Sequence, residues 1–403
     1  MPRVGRSALV SRWAEARSDT AVRTFTVGDK QIAPILIYDH FASVDVAEFV
    51  ARFRAAEPTT TALPIRFVIV PTDLDASERL RSELCGSILP LHIDPLQLDD
   101  ALAEHSILPL AGGPHAELTA TASPTNAPAY DLDRHWLRGG LPESLAADSD
   151  RDSFAWRRAL LIALLERDYS RWELPRASPL PEILRWVANQ NSGELDDTAC
   201  PVATRKELRS ALHVFDRLGI TRGLANFPAG STSSLSKKRK YYVRDSGLLH
   251  ATLGIETITQ LREHGSFGNS WEGYAVEALI RAAGNRCTSQ FYRENINNLT
   301  DEIDLVLDFR PHSTRIFAIE CKANPNRRVK AGFYRACGVI GATERFLVHS
   351  GPTTVLGDDI DSLDLGSALR RVAEFAASTF RRDMPNGPAA AAAVTDAVRQ
   401  SGC

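Results

Sequence analysis

Two apolar runs in the last third of the chain constrain its fold more than any other feature. The runs EIDLVLDF (302–309) and RIFAIECKA (315–323) are rich in Ile, Leu, Val and Phe, and the turn residues RPHST separate them. This pattern is typical of two β-strands joined in a hairpin. Because side chains alternate faces along a strand, Glu320 and Lys322 project on the same side, about 7 Å apart. If the strands pair so that Asp304 faces that side too, an aspartate, a glutamate and a lysine share one surface.

The two acidic side chains of this surface form an oxygen-rich site. Mg²⁺ and Mn²⁺ prefer carboxylate, water and phosphate oxygens as ligands, so we expect Asp304 and Glu320 to bind one of these ions. A neighbouring Lys322 can orient a metal-bound water or stabilise charge on a scissile phosphate. The preceding helical segment WEGYAVEALIRAAG (271–284) offers Glu272 to the same region. These four residues predict a phosphodiester-hydrolysing site, and the alternative is a solvated Glu-Lys ion pair on an exposed strand face.

The region before this site has the order of elements found in a winged helix. Apolar residues recur at helical spacing over 152–173, 182–190 and 204–218, and the strand-like segments 220–227 and 241–243 follow. Three helices and a hairpin in this order predict a winged helix in which 204–218 is the recognition helix.

Basic residues occur on both parts of this predicted winged helix that would face DNA. The predicted recognition helix carries Arg205, Lys206 and Arg209 in its first half. The predicted wing contains a run of four cations: Lys237, Lys238, Arg239 and Lys240. Arg side chains pair with phosphates or guanine edges, and a flexible Lys-rich loop suits backbone contact. The alternative is that the loop is only solvated and the helices are only a packing scaffold.

The N-terminal third alternates short apolar runs with helical segments. The runs IAPILIY (32–38) and IRFVIV (65–70) precede helical stretches at 46–55 and 76–84. This alternation predicts a parallel sheet with helices on its faces.

The charge balance limits the class of partner. The chain has 47 Lys and Arg residues against 50 Asp and Glu residues, a net charge of -3, which excludes a basic coat over the whole surface and leaves DNA binding to a local patch. The six cysteines form no C-x-x-C pair and no zinc-spaced cluster, so a reducing cytoplasm is expected. No stretch reaches the roughly 18 uncharged apolar residues of a membrane span, so neither export nor a membrane location is expected.

Glu272, Asp304 and the Glu320-x-Lys322 pair together resemble the PD-(D/E)xK restriction-endonuclease-like fold, whose members carry these groups on a helix and a hairpin. A longer set of segments is similar to a large bacterial and archaeal group of AAA-type ATP-binding proteins of unknown function that end in such a domain. The segments are WLRGGLPES (136–144), YYVRDSGLLHATLGI (241–255), GNSWEGYAVEALI (268–280) and YRENINNLTDEIDLVL (292–307). They contain that family's G-G-x-P-E motif at 139–143 and its D-S-G-L motif at 245–248. The resemblance covers roughly residues 130–350, and it implies metal binding by Asp304 and Glu320, action of Lys322 on water or phosphate, and assistance from Glu272.

The N-terminal third departs from that family. The family begins with an ATPase domain in which G-x-x-x-x-G-K-[ST] cradles the phosphates, and this sequence has no such motif; Gly28 and Lys30 are its nearest remnant. After the run IAPILIY, Asp39 stands where the family's acidic pair begins, but His40 replaces the catalytic glutamate. We therefore expect no ATP binding, and an active ATPase ranks last among the hypotheses.

These patterns predict an α/β, multidomain protein with a degenerate P-loop-like half-domain, a winged helix and a restriction-endonuclease-like domain. The predicted regions are a degenerate AAA-like domain at 1–110, a linker at 111–130, the helical and winged-helix region at 131–255, the nuclease-like domain at 256–383 and a disordered tail at 384–403. The expected function is cytoplasmic DNA cleavage with Mg²⁺ or Mn²⁺; DNA is the expected partner, and a protein partner or a homodimer stays open. The alternative is a non-enzymatic DNA- or protein-binding module on an inactive nuclease-like fold.

Overall fold

The computed structural model describes residues 22–25, 35–41, 45–55, 67–71, 74–84, 132–167, 179–228, 238–296, 299–310, 312–352 and 354–383. The described residues fall into two compact units, one up to residue 84 and one from residue 132 onward. The predicted linker at 111–130 and the predicted tail at 384–403 lie outside the described residues, as does Lys237. Both units combine helices with a sheet, so the chain is an α/β protein.

The first unit contains a small parallel sheet. Its strands are β1 (Val22–Phe25), β2 (Ile35–Phe41) and β3 (Phe67–Pro71), and its helices are α1 (Val46–Ala55) and α2 (Leu74–Glu83). The strands lie in the order β1-β2-β3, and both neighbouring pairs are parallel. This confirms the alternation of strands and helices predicted for the region. Val46, Phe49 and Val50 of α1 and Leu80 of α2 are buried, so each helix has an apolar side turned inward.

The second unit begins with four helices and a buried arginine. The helices are α3 (Leu132–Arg138), α4 (Pro142–Ala146), α5 (Asp150–Ile162) and α6 (Leu180–Asn189). Helix α5 continues into a π-helical turn at Ala163–Arg167. Arg157 of α5 is fully buried and donates hydrogen bonds to the backbone oxygens of Ser153, Leu137 and Gly247. The arginine thereby joins three separate segments of the chain.

A three-stranded antiparallel sheet and one long helix follow. The strands are β4 (Gly193–Glu194), β5 (Thr221–Leu224) and β6 (Lys240–Val243), in the order β4-β6-β5. Helix α7 (Arg205–Leu218) begins at a capping box formed by Thr204 and Glu207 and ends at Gly219, whose φ of 68° lies in the left-handed region. Six apolar side chains of α7 are buried: Leu208, Ala211, Leu212, Val214, Phe215 and Leu218.

The rest of the unit is a five-stranded mixed sheet and its helices. The strands are β7 (Thr288–Ile296), β8 (Leu299–Asp308), β9 (Ile316–Lys322), β10 (Glu344–His349) and β11 (Asp361–Asp364). The helices are α8 (Ser246–Leu253), α9 (Ile258–Glu263), α10 (Phe267–Ala283), α11 (Ala331–Ile340) and α12 (Leu365–Asp383). The spatial order is β7-β8-β9-β10-β11; the pairs β7-β8 and β8-β9 are antiparallel, and the other two are parallel. The predicted hairpin is therefore present as β8 and β9.

One hydrophobic core unites the helical half and the sheet half of the second unit. Trp136 of α3 and Tyr242 of β6 belong to the same buried cluster as Trp271 of α10 and Ile319 of β9. Trp136 and Trp271 meet edge to face, with ring centroids 5.2 Å apart, a favoured geometry for aromatic pairs. The strand β6 and the five-stranded sheet therefore share a common core. Among the helices that the structure describes, none is both long and apolar enough to cross a membrane.

Candidate metal and phosphodiester site

A pocket of about 310 Å³ lies in the second unit, between the turn 189–193 after α6 and the ends of β8 and β9. Its charged lining residues are Lys240, Glu272, Glu302, Asp304, Glu320, Lys322 and Lys330. The structure therefore brings together all four residues of the predicted hydrolytic site. It also adds Lys240 and Glu302, to which the sequence patterns gave no part in that site.

The hairpin supplies three of the four predicted side chains. Asp304 directly precedes the part of β8 that pairs with β9, at the point where the two strands separate. Its Oδ2 atom accepts a hydrogen bond from Cys321 N at 3.0 Å and lies 3.8 Å from Lys322 Nζ. Lys322 Nζ also lies 2.6 Å from Glu320 Oε1. The three side chains thus share one end of the hairpin.

A β-bulge between β7 and β8 lies at Asp304. Gln290 of β7 pairs with Val306, and Tyr292 pairs with Ile303, so residues 304 and 305 of β8 oppose a single residue of β7. Such an extra residue interrupts the alternation of side chains and re-aims them. Ile303 and Val306 consequently face the same part of the core, and Asp304 lies at the interruption between them.

A lysine of β6 lies at the centre of the carboxylates. Lys240 Nζ lies 2.7 Å from Glu272 Oε1 and 2.9 Å from Asp304 Oδ1. Glu302 Oε1 approaches the same nitrogen to 3.2 Å, and the lysine side chain is only 3% exposed. Two residues along β6, Tyr242 donates its hydroxyl hydrogen to Glu272 Oε1 at 2.9 Å. One strand therefore provides two donors to Glu272, the carboxylate that α10 contributes.

The prediction that Lys240 belongs to an exposed DNA-binding wing is wrong. Lys240 is the first residue of β6, and three carboxylates compensate its buried charge. Burial acts to lower the pKa of Lys240, but the charges of Asp304 and Glu272 outweigh burial and raise it well above the ordinary value. Strand alternation could have indicated this buried position. Lys240 and Tyr242 stand two residues apart at the start of an apolar strand, so their side chains project on the same face.

The carboxyl groups of the pocket ionise unequally. Burial, reinforced by the Asp304 charge, raises the pKa of Glu320 to about 8 and that of Glu272 to about 7. Burial also acts on Asp304, but Lys240 and Lys322 outweigh it and lower the pKa of this group. Burial likewise fails to lower the pKa of Lys322, because Asp304 and Glu320 raise it overall. The pocket thus holds an ionised aspartate between two charged lysines, and Glu272 and Glu320 ionise more readily when a further cation is near.

Asp304 and Glu320 are the carboxylates that fit a hard divalent cation beside Lys322. Among the residues that the structure describes, no group of three or more His, Cys, Asp or Glu side chains is arranged to hold a metal ion. Structural zinc and calcium sites use such larger sets of protein ligands, whereas Mg²⁺ is usually bound by one or two carboxylates and keeps water or phosphate oxygens. The donor set therefore suits Mg²⁺ or Mn²⁺. Three carboxylates do converge on one point, but Lys240 Nζ occupies it.

The basic residues predicted on the recognition helix lie on the surface of α7. The side chains of Arg205 and Arg209 are 58% and 61% exposed, and both pair with Asp197. Lys206 is exposed as well. Exposed ion pairs of this kind contribute little to stability.

The predicted wing is only partly described. Lys238 is exposed and its Nζ atom lies 2.9 Å from Asp196 Oδ2. Arg239 is exposed too, and it donates a hydrogen bond to the backbone oxygen of Gly223 at 3.1 Å. These two cations are on the surface, whereas Lys240, the next residue, points into the pocket.

The two glycine motifs of the sequence meet in one close contact. Gly140 N donates a hydrogen bond to Asp245 Oδ2 at 2.8 Å. Gly139 has a φ of 73°, and a methyl group on it would lie 2.2 Å from Asp245 Oδ1. A methyl group on Gly247 would lie 2.0 Å from the backbone oxygen of Arg138. Only glycine permits these approaches, which hold the start of α8 against the end of α3.

A chain of hydrogen bonds fixes the first turn of α10, the helix that carries Glu272. Trp136 Nε1 donates to Ser270 Oγ at 2.9 Å, and Ser270 Oγ lies 2.7 Å from His250 Nε2. His250 Nδ1 lies 2.9 Å from the backbone oxygen of Leu137. Because a carbonyl oxygen only accepts, Nδ1 donates to it. Burial lowers the pKa of His250 to about 3, so the ring is neutral at pH 7 and Nε2 accepts the serine hydrogen.

Comparison with known proteins finds domains without an assigned function. Residues 129–259 match a family model described as Domain of unknown function (DUF8612), and residues 267–364 match one described as Domain of unknown function (DUF4143). Lys240 falls in the first matched region, and Glu272, Asp304, Glu320 and Lys322 fall in the second.

Two curated relatives are uncharacterized proteins from Mycobacterium tuberculosis (strain ATCC 25618 / H37Rv) and Mycobacterium bovis (strain ATCC BAA-935 / AF2122/97). Each is 34% identical over 152 residues, which is 36% of this chain and 34% of the relative. The chain therefore spans about a third of the length of the curated relatives it matches.

One solved structure aligns with 77% of this chain and 80% of its own, at a TM-score of 0.22 and 11% identity. It is described as a refined half-complex from a tetradecameric assembly of Thermococcus gammatolerans McrB AAA+ hexamers with bound McrC. A TM-score this low has no bearing on fold or function. The chain is thus similar to two domains of unknown function and to uncharacterized mycobacterial proteins.

Proposed function

We propose that this chain is a DNA-associated phosphodiesterase that cleaves DNA with Mg²⁺ or Mn²⁺ held by Asp304 and Glu320. The observation that carries the proposal is the convergence of Asp304, Glu320 and Lys322 where β8 and β9 separate. Lys322 Nζ lies 2.6 Å from Glu320 Oε1 and 3.8 Å from Asp304 Oδ2, beside a pocket of about 310 Å³. The resemblance to PD-(D/E)xK nucleases assigns roles to the same residues, with Glu272 on the preceding helix.

The residues of the hairpin have separate tasks in this reaction. A bound divalent cation supplies a Lewis acid that lowers the pKa of a water and offsets charge on the phosphate. Asp304 and Glu320 hold that cation through carboxylate oxygens. Lys322 stays protonated because its two carboxylate neighbours raise its pKa, so it stabilises the charge that develops on the phosphate oxygens and does not act as a base. Glu272 assists by fixing the side of the pocket formed by β6.

The helical half of the second unit provides a surface for DNA. Helix α7 is followed by the antiparallel strands β5 and β6, an arrangement that fits a winged helix with α7 as its recognition helix. Arg205, Lys206 and Arg209 are exposed at the start of this helix, and Lys238 and Arg239 are exposed beside the wing. These cations suit contacts to the phosphate backbone.

The proposed reaction uses no ATP. The N-terminal unit resembles only part of an ATPase core, since the sequence has no phosphate-binding loop. Because the phosphate-binding loop is missing, we propose that this unit is a degenerate ATPase domain that binds no nucleotide.

A non-enzymatic DNA- or protein-binding module is the second candidate function. It is favoured by the internal pairing of the site: Lys240 already engages three carboxylates, and Lys322 engages Glu320. In this case the pocket is a structural element, and α7 and the wing supply recognition.

Cleavage of labelled DNA separates the two candidates. Single-stranded, double-stranded and branched substrates are incubated with Mg²⁺ or Mn²⁺ and either the wild-type chain or a triple variant, Asp304→Ala, Glu320→Ala and Lys322→Ala. Arg315→Gln, which removes a surface ion pair with Glu344, is the matched control, and thermal unfolding verifies that each variant folds. Metal-dependent cleavage by the wild type and the control, but not by the triple variant, is the expected result.

Two other results contradict the proposed activity. Equal cleavage by the wild type and the triple variant assigns the activity to a contaminant. Absence of cleavage by the wild type, with DNA still bound at low salt and released at high salt, leaves the binding module.

A further inference from the structure

Lys240 occupies a point at which carboxylates would otherwise gather around a cation. Its Nζ atom lies 2.7, 2.9 and 3.2 Å from oxygens of Glu272, Asp304 and Glu302. The side chain is 3% exposed, and the neighbouring Tyr242 hydroxyl holds Glu272 from the same strand. The ammonium group therefore has a fixed position set by the backbone of β6.

Asp304 connects this lysine to the site proposed for the metal ion. Its Oδ1 atom lies 2.9 Å from Lys240 Nζ, and its Oδ2 atom lies 3.8 Å from Lys322 Nζ. A carboxylate with one oxygen toward each of two cationic centres has the geometry of the bridging ligand in two-metal sites, whose ions lie about 3.5–4 Å apart. In this chain the Lys240 ammonium group stands at one of those centres, and the Lys322 ammonium group lies beside the other, where the metal ion is proposed.

The charges of the pocket suit a single added ion. Its carboxylates are Glu272, Glu302, Asp304 and Glu320, and its two least exposed lysines are Lys240 and Lys322. When all six groups are ionised, the excess is two negative charges, and the exposed Lys330, which also lines the pocket, lowers it to one; a single divalent cation is enough to offset either excess. A second divalent cation would reverse the sign of the excess, and it would also have to displace Lys240 from three oxygen contacts.

We infer that the site binds one divalent cation and that Lys240 is its fixed second cationic centre. This inference rests on the proposed function. Lys240 is a positioning residue: it keeps Glu272, Glu302 and Asp304 together against their mutual repulsion, and it does so at any metal concentration. The substitution Lys240→Met removes the charge and retains a long apolar side chain, so it opens a centre for a second ion.

Binding of Mn²⁺ to the apo-protein tests the inference without measuring cleavage. The number of bound ions is obtained by titration calorimetry and from the electron paramagnetic resonance signal of free Mn²⁺. We expect one ion per chain for the wild type and two for Lys240→Met, because three carboxylates then lack a cation. Arg315→Met removes a cation that pairs with Glu344 on the surface, and it is expected to bind one ion with unchanged affinity.

A second variant keeps the test decisive if Lys240→Met does not fold. Glu272→Gln removes the carboxylate that contacts Lys240 and Tyr242, and we expect it to retain one ion with a dissociation constant within about threefold of wild type. Loss of the ion from Glu272→Gln would overturn the inference, because Glu272 would then be a metal ligand.

The remaining outcomes separate the inference from the proposed function. Two ions in the wild type, or one ion in a folded Lys240→Met variant, overturn the inference and leave the metal-dependent function intact. Absence of Mn²⁺ binding by the wild type overturns both.

Discussion

The buried His250 makes the stability of the second unit depend on pH. Burial lowers the pKa of this residue, so its ring is neutral, Nδ1 donates to Leu137 O and Nε2 accepts from Ser270. Protonation would place a positive charge at a fully buried position that also feels the charge of Arg157. The substitution His250→Asn retains an amide donor for Leu137 O and removes the titrating group.

The magnitude follows from the difference between the folded and unfolded pKa values of this residue. Burial lowers the folded pKa from 6.5 to about 3. The unfolded chain therefore binds a proton first as the pH falls, so the stabilisation is present above about pH 6.5 and is lost toward pH 3. Each pH unit below the unfolded value removes about 1.4 kcal/mol, so this residue lowers the free energy of unfolding by about 2 kcal/mol near pH 5.

Urea unfolding followed by tryptophan fluorescence measures this effect near pH 7 and near pH 5. The difference in free energy of unfolding between the wild type and His250→Asn should be about 2 kcal/mol smaller at the lower pH, since only the wild type has the titrating group. Acidic residues common to both chains cancel in this difference. His213→Asn, the same change at an exposed position of α7, is the control for the substitution itself. If this difference in free energy of unfolding were the same at both pH values, the conclusion that His250 is buried as a neutral ring would be wrong.

Three further predictions concern the glycine contact, DNA and the metal ion. Gly247→Ala should lower the free energy of unfolding in urea by at least about 3 kcal/mol, because the new methyl group meets a backbone oxygen. Its control is Gly254→Ala, where the methyl group has no neighbour within 4 Å. That variant should lower the free energy of unfolding by only about 1 kcal/mol, because of its left-handed φ. The double change Arg205→Gln and Arg209→Gln should weaken DNA binding for all sequences and reduce the slope of log affinity against log salt by about 2 in a filter-binding series. Mg²⁺ at a hundredfold excess over its Kd should stabilise the wild type by about 2.7 kcal/mol in thermal unfolding, and Asp304→Asn should abolish that shift.

Strand periodicity was sufficient to predict the hairpin, and it could not fix the direction of Asp304. Glu320 and Lys322 stand two residues apart on one strand, so their shared side is a local property of the sequence. The direction of Asp304 depends on the register of β8 against β9, in which Leu305 pairs with Ile319, so that Asp304 lies on the same face as Glu320. That pairing is a tertiary property which no residue pattern in β8 reveals.

The cation run before β6 shows the second limit of the sequence. Lys238, Arg239 and Lys240 are chemically similar, and a single assignment to an exposed wing covered them all. The structure divides the run where the strand begins. The partners that make burial of Lys240 favourable, Glu302 and Asp304, lie 62 and 64 residues further along the chain, so they were beyond any local pattern.

The lysine among three carboxylates also constrains how the sequence can change over evolution. Loss of Lys240 alone leaves three carboxylates without this counter-ion. Loss of one carboxylate alone makes burial of the charged lysine less favourable. Single replacements at these positions are therefore selected against, whereas paired replacements that preserve the charge balance are tolerated. We expect positions 240, 272, 302 and 304 to covary among relatives that keep this pocket, even though β6 is separated in sequence from the helix and hairpin that hold the acids.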